Sequence, residues 1–181
     1  EAKLSDVIHV HHGTACDLSM FDNSSFSGVL VVEGGAHFLD KLSFFKHAYR
    51  VLMPGGHLAI SDIFLVRPFN TFNSLEKVLT WIALKMWHGP PQNGLMIEDY
   101  KELLNQVRFQ QTVITDVGAD VIPGYLHEST RLETLSQLCK VRGTLRTYAS
   151  CFLDAALKLG WKRHMITYGL VDAVKPETLL T

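Results

Sequence analysis

The stretches Phe26-Ser-Gly-Val-Leu-Val-Val-Glu-Gly-Gly-Ala-His-Phe38 and Arg50-Val-Leu-Met-Pro-Gly-Gly-His-Leu-Ala-Ile-Ser-Asp62 decide the fold. The first contains Val29–Val32, a short apolar run without alternation, which is typical of a strand buried on both faces of a parallel sheet. The second contains His57–Asp62, which predicts another buried strand. Two buried strands with a helical segment between them indicate an α/β protein.

An amphipathic helix is predicted between the two strands. Asp40 is its candidate N-cap, and Pro54-Gly55-Gly56 is predicted to end it, because proline cannot continue a helix and glycine accepts a sharp reversal. A strand–helix–strand unit of this kind is right-handed, so its two strands lie parallel in one sheet. The apolar face of the helix consists of Leu42, Phe45, Tyr49 and Leu52, at spacings of three and four.

Periodicity and capping residues predict the remaining elements. The longest apolar stripe belongs to the helix that begins at Leu145, and Gly160 is its predicted C′ residue. The other predicted elements are a strand at Asp6–His11, a helix at about Leu75–Trp87 capped by Asn73 and Glu76, a helix at about Glu98–Val107, a strand at Thr112–Val117, helices at about Leu126–Lys140 and Leu145–Leu159 separated by Gly143, and a strand at Met165–Val171.

Composition excludes several functional classes. The chain has 181 residues, of which 47% are hydrophobic, and a net charge of −1, so we expect one soluble domain and no nucleic-acid groove. The apolar stretch Val78–Trp87 is interrupted by Lys85 and has half of the ~20 residues that a transmembrane helix needs. Three irregularly spaced cysteines indicate neither a disulfide framework nor a zinc site, and therefore favour a reducing intracellular compartment, cytoplasm or organelle.

The three histidines near the start of the sequence are weak candidates for a metal site. His9 and His11 share one face of a predicted strand, and His12 follows them. No Cys, Asp or Glu is placed by the sequence to complete the three or four ligands that a site needs. We therefore expect no bound metal.

The two stretches that decide the fold resemble the class I S-adenosylmethionine-dependent methyltransferases, in particular the branch with the sterol, tocopherol and sugar enzymes. The segment Arg50–Asp62, with its Pro-Gly-Gly and downstream Ser-Asp, carries most of the likeness. His12–Leu18 takes the place of the family's Gly-Asp-Ala segment. The resemblance implies a Rossmann-like, doubly wound, mostly parallel sheet with a C-terminal antiparallel strand pair, in the order 3-2-1-4-5-7-6.

The family's N-terminal strands and glycine-rich turn have no counterpart in these 181 residues. We therefore expect residues 1–181 to form the C-terminal part of a single methyltransferase domain, with a helical cap insertion at about 65–96. The missing strands are central in the family's sheet, so Asp6–His11 would lack a neighbour and Val29–Val32 would become an exposed edge. Unseen residues of the same polypeptide, or a partner chain, are expected to complete the sheet.

The resemblance implies a cofactor site for S-adenosylmethionine. Thr14, Ala15 and Cys16 would lie at the adenine, with Thr14 in place of the family's acidic residue; a hydroxyl accepts the same hydrogen bond more weakly. The alternative is a loop that binds nothing. Glu33, Gly34 and Gly35 follow a buried parallel strand, where ligands bind in open α/β sheets, or they form a tight strand exit.

His37 and Asp62 are the candidate catalytic residues that the resemblance implies. A histidine can take the proton that the attacking group loses, and Asp62 could orient His37 or bind the substrate. The alternatives are a structural histidine and an aspartate that caps a loop. The acceptor would lie under residues of the cap, which otherwise form its ordinary core: Trp81, Met86, Trp87, His88 and Tyr125.

The expected function is methyl transfer from S-adenosylmethionine to oxygen, nitrogen or carbon of a small, apolar acceptor molecule. The second hypothesis is a methyltransferase-like subunit that lacks activity and serves as a structural part of a larger assembly. A third hypothesis is a membrane-surface module that docks through the Trp-rich helix at about Leu75–Trp87. That helix lacks the density of Lys and Arg that such helices usually carry.

Overall fold

The structure is a computed structural model that describes residues 7–90 and 93–177, with Trp87 described by its backbone alone. The strands of this part of the chain are β1 (Phe26–Val32), β2 (Leu52–Leu65), β3 (Gln110–Asp116) and β4 (Ile166–Val174). Its helices are α1 (Lys41–Val51), α2 (Ser74–Trp87), α3 (Ile97–Gln106), α4 (Gly118–Ser129), α5 (Leu132–Arg142) and α6 (Thr144–Lys162), with short 3-10 turns at Gly35–His37 and Phe69–Thr71.

The four described strands form one sheet in the order β1-β2-β4-β3. β1 and β2 are parallel, whereas β4 runs antiparallel to both β2 and β3. This is the order expected for strands 4-5-7-6 of the family's sheet, so the α/β fold and its C-terminal antiparallel pair are confirmed. The parallel pairing also confirms the predicted strand–helix–strand unit.

The core lies between one face of the sheet and helices α1 and α3. Asp40 caps α1 as predicted, since its carboxylate accepts the amide of Ser43. Alternate residues of β2 point toward these helices, and Tyr100 of α3 packs edge-on against two phenylalanine rings. The members of this core that are at most 2% exposed are Phe44, Phe45, Ala48, Leu52, Leu58, Ile60, Phe64, Tyr100, Leu104, Phe109, Val171 and Ala173.

The strand predicted at Asp6–His11 is wrong for the residues that the structure describes. Residues 7–11 are irregular and exposed, and Val10 is 92% exposed, while Asp6 lies outside the described residues. A strand needs a neighbour for its backbone hydrogen bonds, and no described strand lies beside this segment. The expected apolar edge is present, since Leu30 and Val32 of β1 are 73% and 68% exposed.

Three helix boundaries differ from the predictions. α1 ends at Val51, and Pro54-Gly55-Gly56 lies within β2, where Gly55 has a φ of +76° and donates its amide to Lys175. The helix predicted at Leu126–Lys140 is interrupted after Ser129, which separates α4 from α5. Gly160 is not a C′ residue but lies inside α6. A Cβ there would be 3.1 Å from the Ile166 side chain, so close packing against β4 explains this glycine.

The buried carboxylate of Glu76 holds the first turn of α2 in place. Glu76 and Asn73 form the predicted capping box, and the Glu76 carboxylate also lies 2.9 Å from Arg67 and 3.7 Å from Arg163. Arg67 follows β2 and Arg163 follows α6. A single carboxylate therefore ties α2 to two other segments of the chain.

Replacing Glu76 with glutamine is expected to flatten the dependence of stability on acidic pH. The hydrogen bond from Arg67, followed by that from the backbone of Asn73, lowers the pKa of Glu76 below its ordinary 4.5. Its contribution is therefore present above pH 4.5 and is lost as pH falls through the lowered pKa. Thermal melts across this range measure the effect. Glu102→Gln, at an exposed position of α3, is the control, and an equal flattening in both variants would contradict this role for Glu76.

Candidate active site

A buried ion pair fixes the carboxyl ends of β1 and β2 relative to each other. The Lys41 ammonium donates to Asp62 Oδ2 at 2.6 Å and to the carbonyl of Gly35 at 2.8 Å. The Tyr100 hydroxyl donates to the same carboxylate oxygen at 3.3 Å, and the Ile63 amide donates to Oδ1 at 2.9 Å. Burial lowers the pKa of Lys41 against the attraction of Asp62, and raises the pKa of Tyr100, which stays a hydrogen-bond donor.

The contacts of Asp62 differ from those suggested by the sequence. Among the described side chains its hydrogen bonds go to Lys41 and Tyr100, and not to His37. The physical reason is burial, because a carboxylate that is 2% exposed requires a cation or several donors beside it. Sequence reasoning missed Lys41. A lysine in the first turn of a helix interacts unfavourably with the positive end of the helix dipole. This unusual position could have marked Lys41 as a residue with a specific partner.

Gly35 leaves no room for a side chain beside this ion pair. A Cβ at Gly35 would lie 2.5 Å from Asp62 Oδ2 and 3.3 Å from Lys41 Nζ, whereas one at Gly34 would lie 3.3 Å from a Val31 methyl. Gly35→Ala is therefore expected to lower the free energy of unfolding by about 1–3 kcal/mol, as overpacking does. Chemical denaturation measures the change. Gly34→Ala is the matched control, and an equal loss in the control would contradict the explanation.

The 3-10 turn Gly35–His37 presents the candidate base. His37 is exposed, and its own amide donates to the carbonyl of Gly34 at 3.1 Å. Asn93 holds this turn from the other side, since its side-chain amide donates to the carbonyls of Ala36 at 3.1 Å and Phe38 at 2.5 Å. Sequence reasoning missed Asn93, because it stands in an irregular stretch without a recognisable pattern.

A cavity of about 200 Å³ opens beside this turn. Four of its lining residues were candidates from the sequence, namely Glu33, His37, Asp62 and Tyr125. The structure therefore brings together residues from the segment just after β1, the following turn, β2 and α4. The other lining residues are Ala36, Ile63, Val121, Ile122, Leu157 and Tyr168.

Two tyrosine–carboxylate pairs lie at the cavity. Glu33 adopts a left-handed backbone conformation, with a φ of +54°, and its carboxylate accepts a hydrogen bond from Tyr168 at 3.1 Å. Tyr125 donates to Asp154 of α6 at 3.0 Å. Burial raises the pKa of Tyr168, and burial together with Asp154 raises the pKa of Tyr125 to about 12. Both phenols are thus donors at neutral pH. No sequence pattern indicated Tyr168 or Asp154.

The loop with Thr14, Ala15 and Cys16 rests on the start of α1. Cys16 contributes two contacts there: its thiol lies 3.4 Å from the carbonyl of Asp40, and its own carbonyl accepts the Ser43 hydroxyl at 3.0 Å. Since α1 begins four residues after His37, this loop and the histidine turn flank the same end of the helix. Thr14 is exposed, and its hydroxyl accepts only the Cys16 amide, at 3.3 Å, among its described hydrogen bonds.

The cap residues do not gather at the cavity as the resemblance implied. Trp81 is 59% exposed with Lys85 5.8 Å from its ring, and His88 is the exposed, left-handed C-cap of α2. Neither is among the described lining residues, and neither is Met86. The side chain of Trp87 lies outside the described residues. Tyr125 lines the cavity because it belongs to α4 rather than to the cap insertion.

Residues 7–90 and 93–177 bear on two other functional classes, metal-binding and membrane-spanning proteins. No group of three or more His, Cys, Asp or Glu side chains is placed there to hold a metal ion. His11 instead packs edge-on against the ring of Phe21 at 5.1 Å. No helix in the same ranges is long and apolar enough to cross a membrane.

Comparison with known proteins finds similarity to methyltransferases. Residues 1–60 match the family model described as a methyltransferase domain. The chain is related to the class I S-adenosylmethionine-dependent methyltransferases. It is 28% identical over 116 residues to O-methyltransferase cnsE of Penicillium expansum, which covers 64% of this chain and 39% of that protein. It is 24% identical over 166 residues to chloroplastic tocopherol O-methyltransferase of Arabidopsis thaliana, which covers 86% of this chain and 45% of that protein.

Solved structures show the class I methyltransferase fold. A putative sarcosine dimethylglycine methyltransferase of Galdieria sulphuraria has a TM-score of 0.74 and 17% identity, covering 97% of this chain and 62% of that one. Geranyl diphosphate C-methyltransferase of Streptomyces coelicolor has a TM-score of 0.73 and 14% identity, covering 96% and 54%. At such identities the likeness shows the fold alone. The chain spans less than half the length of the curated relatives that it matches.

Proposed function

We propose that the full-length protein transfers a methyl group from S-adenosylmethionine to oxygen, nitrogen or carbon of a small, apolar acceptor molecule. The observation that carries this proposal is the cavity that unites Glu33, His37 and Tyr125 at the carboxyl ends of β1 and β2. Ligands of open α/β sheets bind at this edge. The match of residues 1–60 to a methyltransferase domain supports the same conclusion.

The residues present suit S-adenosylmethionine at two points. The Thr14 hydroxyl accepts one described hydrogen bond, from the Cys16 amide, which uses one of its two lone pairs. The second lone pair could accept a hydrogen bond from an adenine amino group, and the hydroxyl proton is also left for a ligand. Glu33 offers an exposed carboxylate, oriented by Tyr168, that would hold the positively charged sulfonium group. When bound, this cofactor supplies a methyl group on a positively charged sulfur. Gly34 and Gly35, at the end of β1, would let it approach the backbone closely.

His37 is proposed as the group that receives the proton of the attacking hydroxyl or amine. Its imidazole is exposed beside the cavity, and the turn that carries it is held by Asn93 and by the link from Lys41 to Gly35. Asp62 is proposed to act through this link, so it positions the turn rather than the substrate. The protein's remaining task is to hold the acceptor in line with the methyl group and to exclude water.

The walls of the cavity favour an apolar acceptor without an anionic group. Ile63, Val121, Ile122 and Leu157 provide the apolar surface. The described lining residues include two carboxylates and two phenols but no Lys or Arg, so a phosphate or carboxylate on the acceptor would lack a partner. A phenol, an enol or an amine fits this arrangement. Trp81, Trp87 and His88 remain proposed contacts for a larger acceptor.

We propose that residues outside these 181, of the same polypeptide or of a partner chain, complete the sheet. One face of the sheet carries exposed apolar side chains, with β1 as an open edge. Natural sheets cover such edges and faces. The exposed apolar residues of this face are Leu30, Val32, Val113 and Leu170.

The second candidate function is a methyltransferase-like subunit without activity. Thr14 in place of an acidic residue favours it, because a hydroxyl binds the adenine amino group more weakly than a carboxylate does. Incubating the full-length protein with methyl-labelled S-adenosylmethionine and a panel of apolar phenols, enols and amines separates the two. Label in a small molecule is expected; the absence of transfer to every member of the panel would favour the subunit.

A further inference from the structure

The tip of the α5–α6 hairpin, where the two helices are joined, carries exposed apolar side chains. The two helices are joined at Gly143, which has a φ of +83°. On either side of this joint, Val141 is 82% exposed and Leu145 is 84% exposed. Tyr148, one turn further along α6, is 69% exposed. Three large apolar side chains therefore point into solvent within eight residues of the chain.

Positive charge surrounds this tip. Residues 136–150 contain Lys140, Arg142 and Arg146, all of them exposed, and no Asp or Glu. The flanking acids in the sequence are Glu133, in the first turn of α5 with Arg131 3.8 Å away, and Asp154, which accepts the Tyr125 hydroxyl. Tyr125 of the neighbouring α4 lies close enough to Arg142 that this cation lowers the pKa of Tyr125 slightly, against the larger effect of burial. The cations at the tip are thus available to an external anion.

We propose that the α5–α6 tip docks the protein onto the surface of an anionic lipid membrane. The tip has aliphatic side chains at its end, a tyrosine one turn behind them and cations beside them. An interfacial membrane anchor has the same order, with apolar groups deepest, aromatic rings at the headgroups and cations at the lipid surface. Each Lys or Arg near an anionic surface adds to the attraction. A second copy of this chain fits less well, because a symmetric contact would bring the same three cations together.

The position of the tip relates this docking to the cavity. The helix that begins at the tip, α6, also provides Leu157 to the cavity wall, and the neighbouring α4 provides Tyr125. A membrane contact through the tip would thus hold the cavity near lipid, where apolar molecules concentrate. The docking itself does not depend on methyl transfer, so the two proposals can fail separately.

Sedimentation of the full-length protein with vesicles tests the docking. The probes are phosphatidylcholine vesicles with and without phosphatidylglycerol. We expect binding to the anionic vesicles that weakens with added salt, and a loss of about tenfold or more for Val141→Ser combined with Leu145→Ser. Replacing Lys140, Arg142 and Arg146 with glutamine should abolish the preference for anionic vesicles. Circular dichroism of each variant verifies that it is folded.

Matched substitutions on α2 provide the control. Leu75 and Val78 are 55% and 53% exposed on the Trp-rich cap helix, and replacing both with serine should leave vesicle binding unchanged. A loss with this pair instead would move the contact to the cap helix and overturn the proposal. Equal binding to neutral vesicles, no binding at all, or self-association without lipid that the tip variants remove would each overturn it too.

Discussion

Replacing Asp62 with alanine is expected to lower the free energy of unfolding of the full-length protein by about 3–5 kcal/mol. The substitution leaves the Lys41 ammonium buried without the carboxylate that lies 2.6 Å from it. It also removes the acceptor of the buried Tyr100 hydroxyl. Urea denaturation followed by circular dichroism measures the change, which should be among the largest of any single substitution in the chain.

A double variant separates the loss of the ion pair from the loss of side-chain volume. Lys41→Met together with Asp62→Leu removes both charges and keeps the site filled, so it should be clearly more stable than Asp62→Ala. This comparison isolates the cost of an unpaired buried cation. An Asp62→Ala variant that loses less than about 1 kcal/mol would show that the pair does not hold this edge of the sheet.

Replacing His37 with alanine is expected to lower kcat by about 10²–10⁴-fold without changing the melting temperature. The kinetic loss follows if the imidazole receives the proton of the acceptor, and the unchanged stability follows from the exposure of the side chain. Labelled methyl transfer to an acceptor identified by the panel provides the rate. For an acceptor that is already deprotonated, the loss should be much smaller.

His127→Ala is the matched control for this prediction. His127 is an exposed histidine of α4 that lies outside the cavity. Its removal should leave kcat unchanged. If both variants keep the full rate with a neutral acceptor, His37 is a structural residue and catalysis depends on positioning alone.

Most of the fold could be predicted from the sequence because local signals decide it. Asp40, the apolar spacing of α1 and the box of Asn73 with Glu76 are short-range features, and each element that they mark is present. The failures arise where distant packing overrides the local pattern. Gly160 resembles a helix end but meets Ile166, and residues 7–11 resemble a strand but have no described neighbour.

The candidate site could be predicted only where it lies at strand ends. Glu33, His37 and Asp62 follow β1 or end the buried part of β2, and they line the same cavity. Their partners could not be predicted from local patterns. Lys41 is 21 residues from Asp62 and Tyr168 is 135 residues from Glu33, while Asn93 holds the turn of His37 through carbonyls 57 and 55 residues away. The role suggested for Asp62 changed for this reason, since burial and not catalysis determines its contacts.

Calorimetric titration of the full-length protein with S-adenosylmethionine tests the central claim most directly. The account predicts saturable binding at one site per chain that is weakened by Glu33→Gln. This variant removes the charge at the end of β1 and keeps an oxygen that can accept the Tyr168 hydroxyl. The absence of binding at millimolar ligand would contradict the account and leave a methyltransferase fold used without its chemistry.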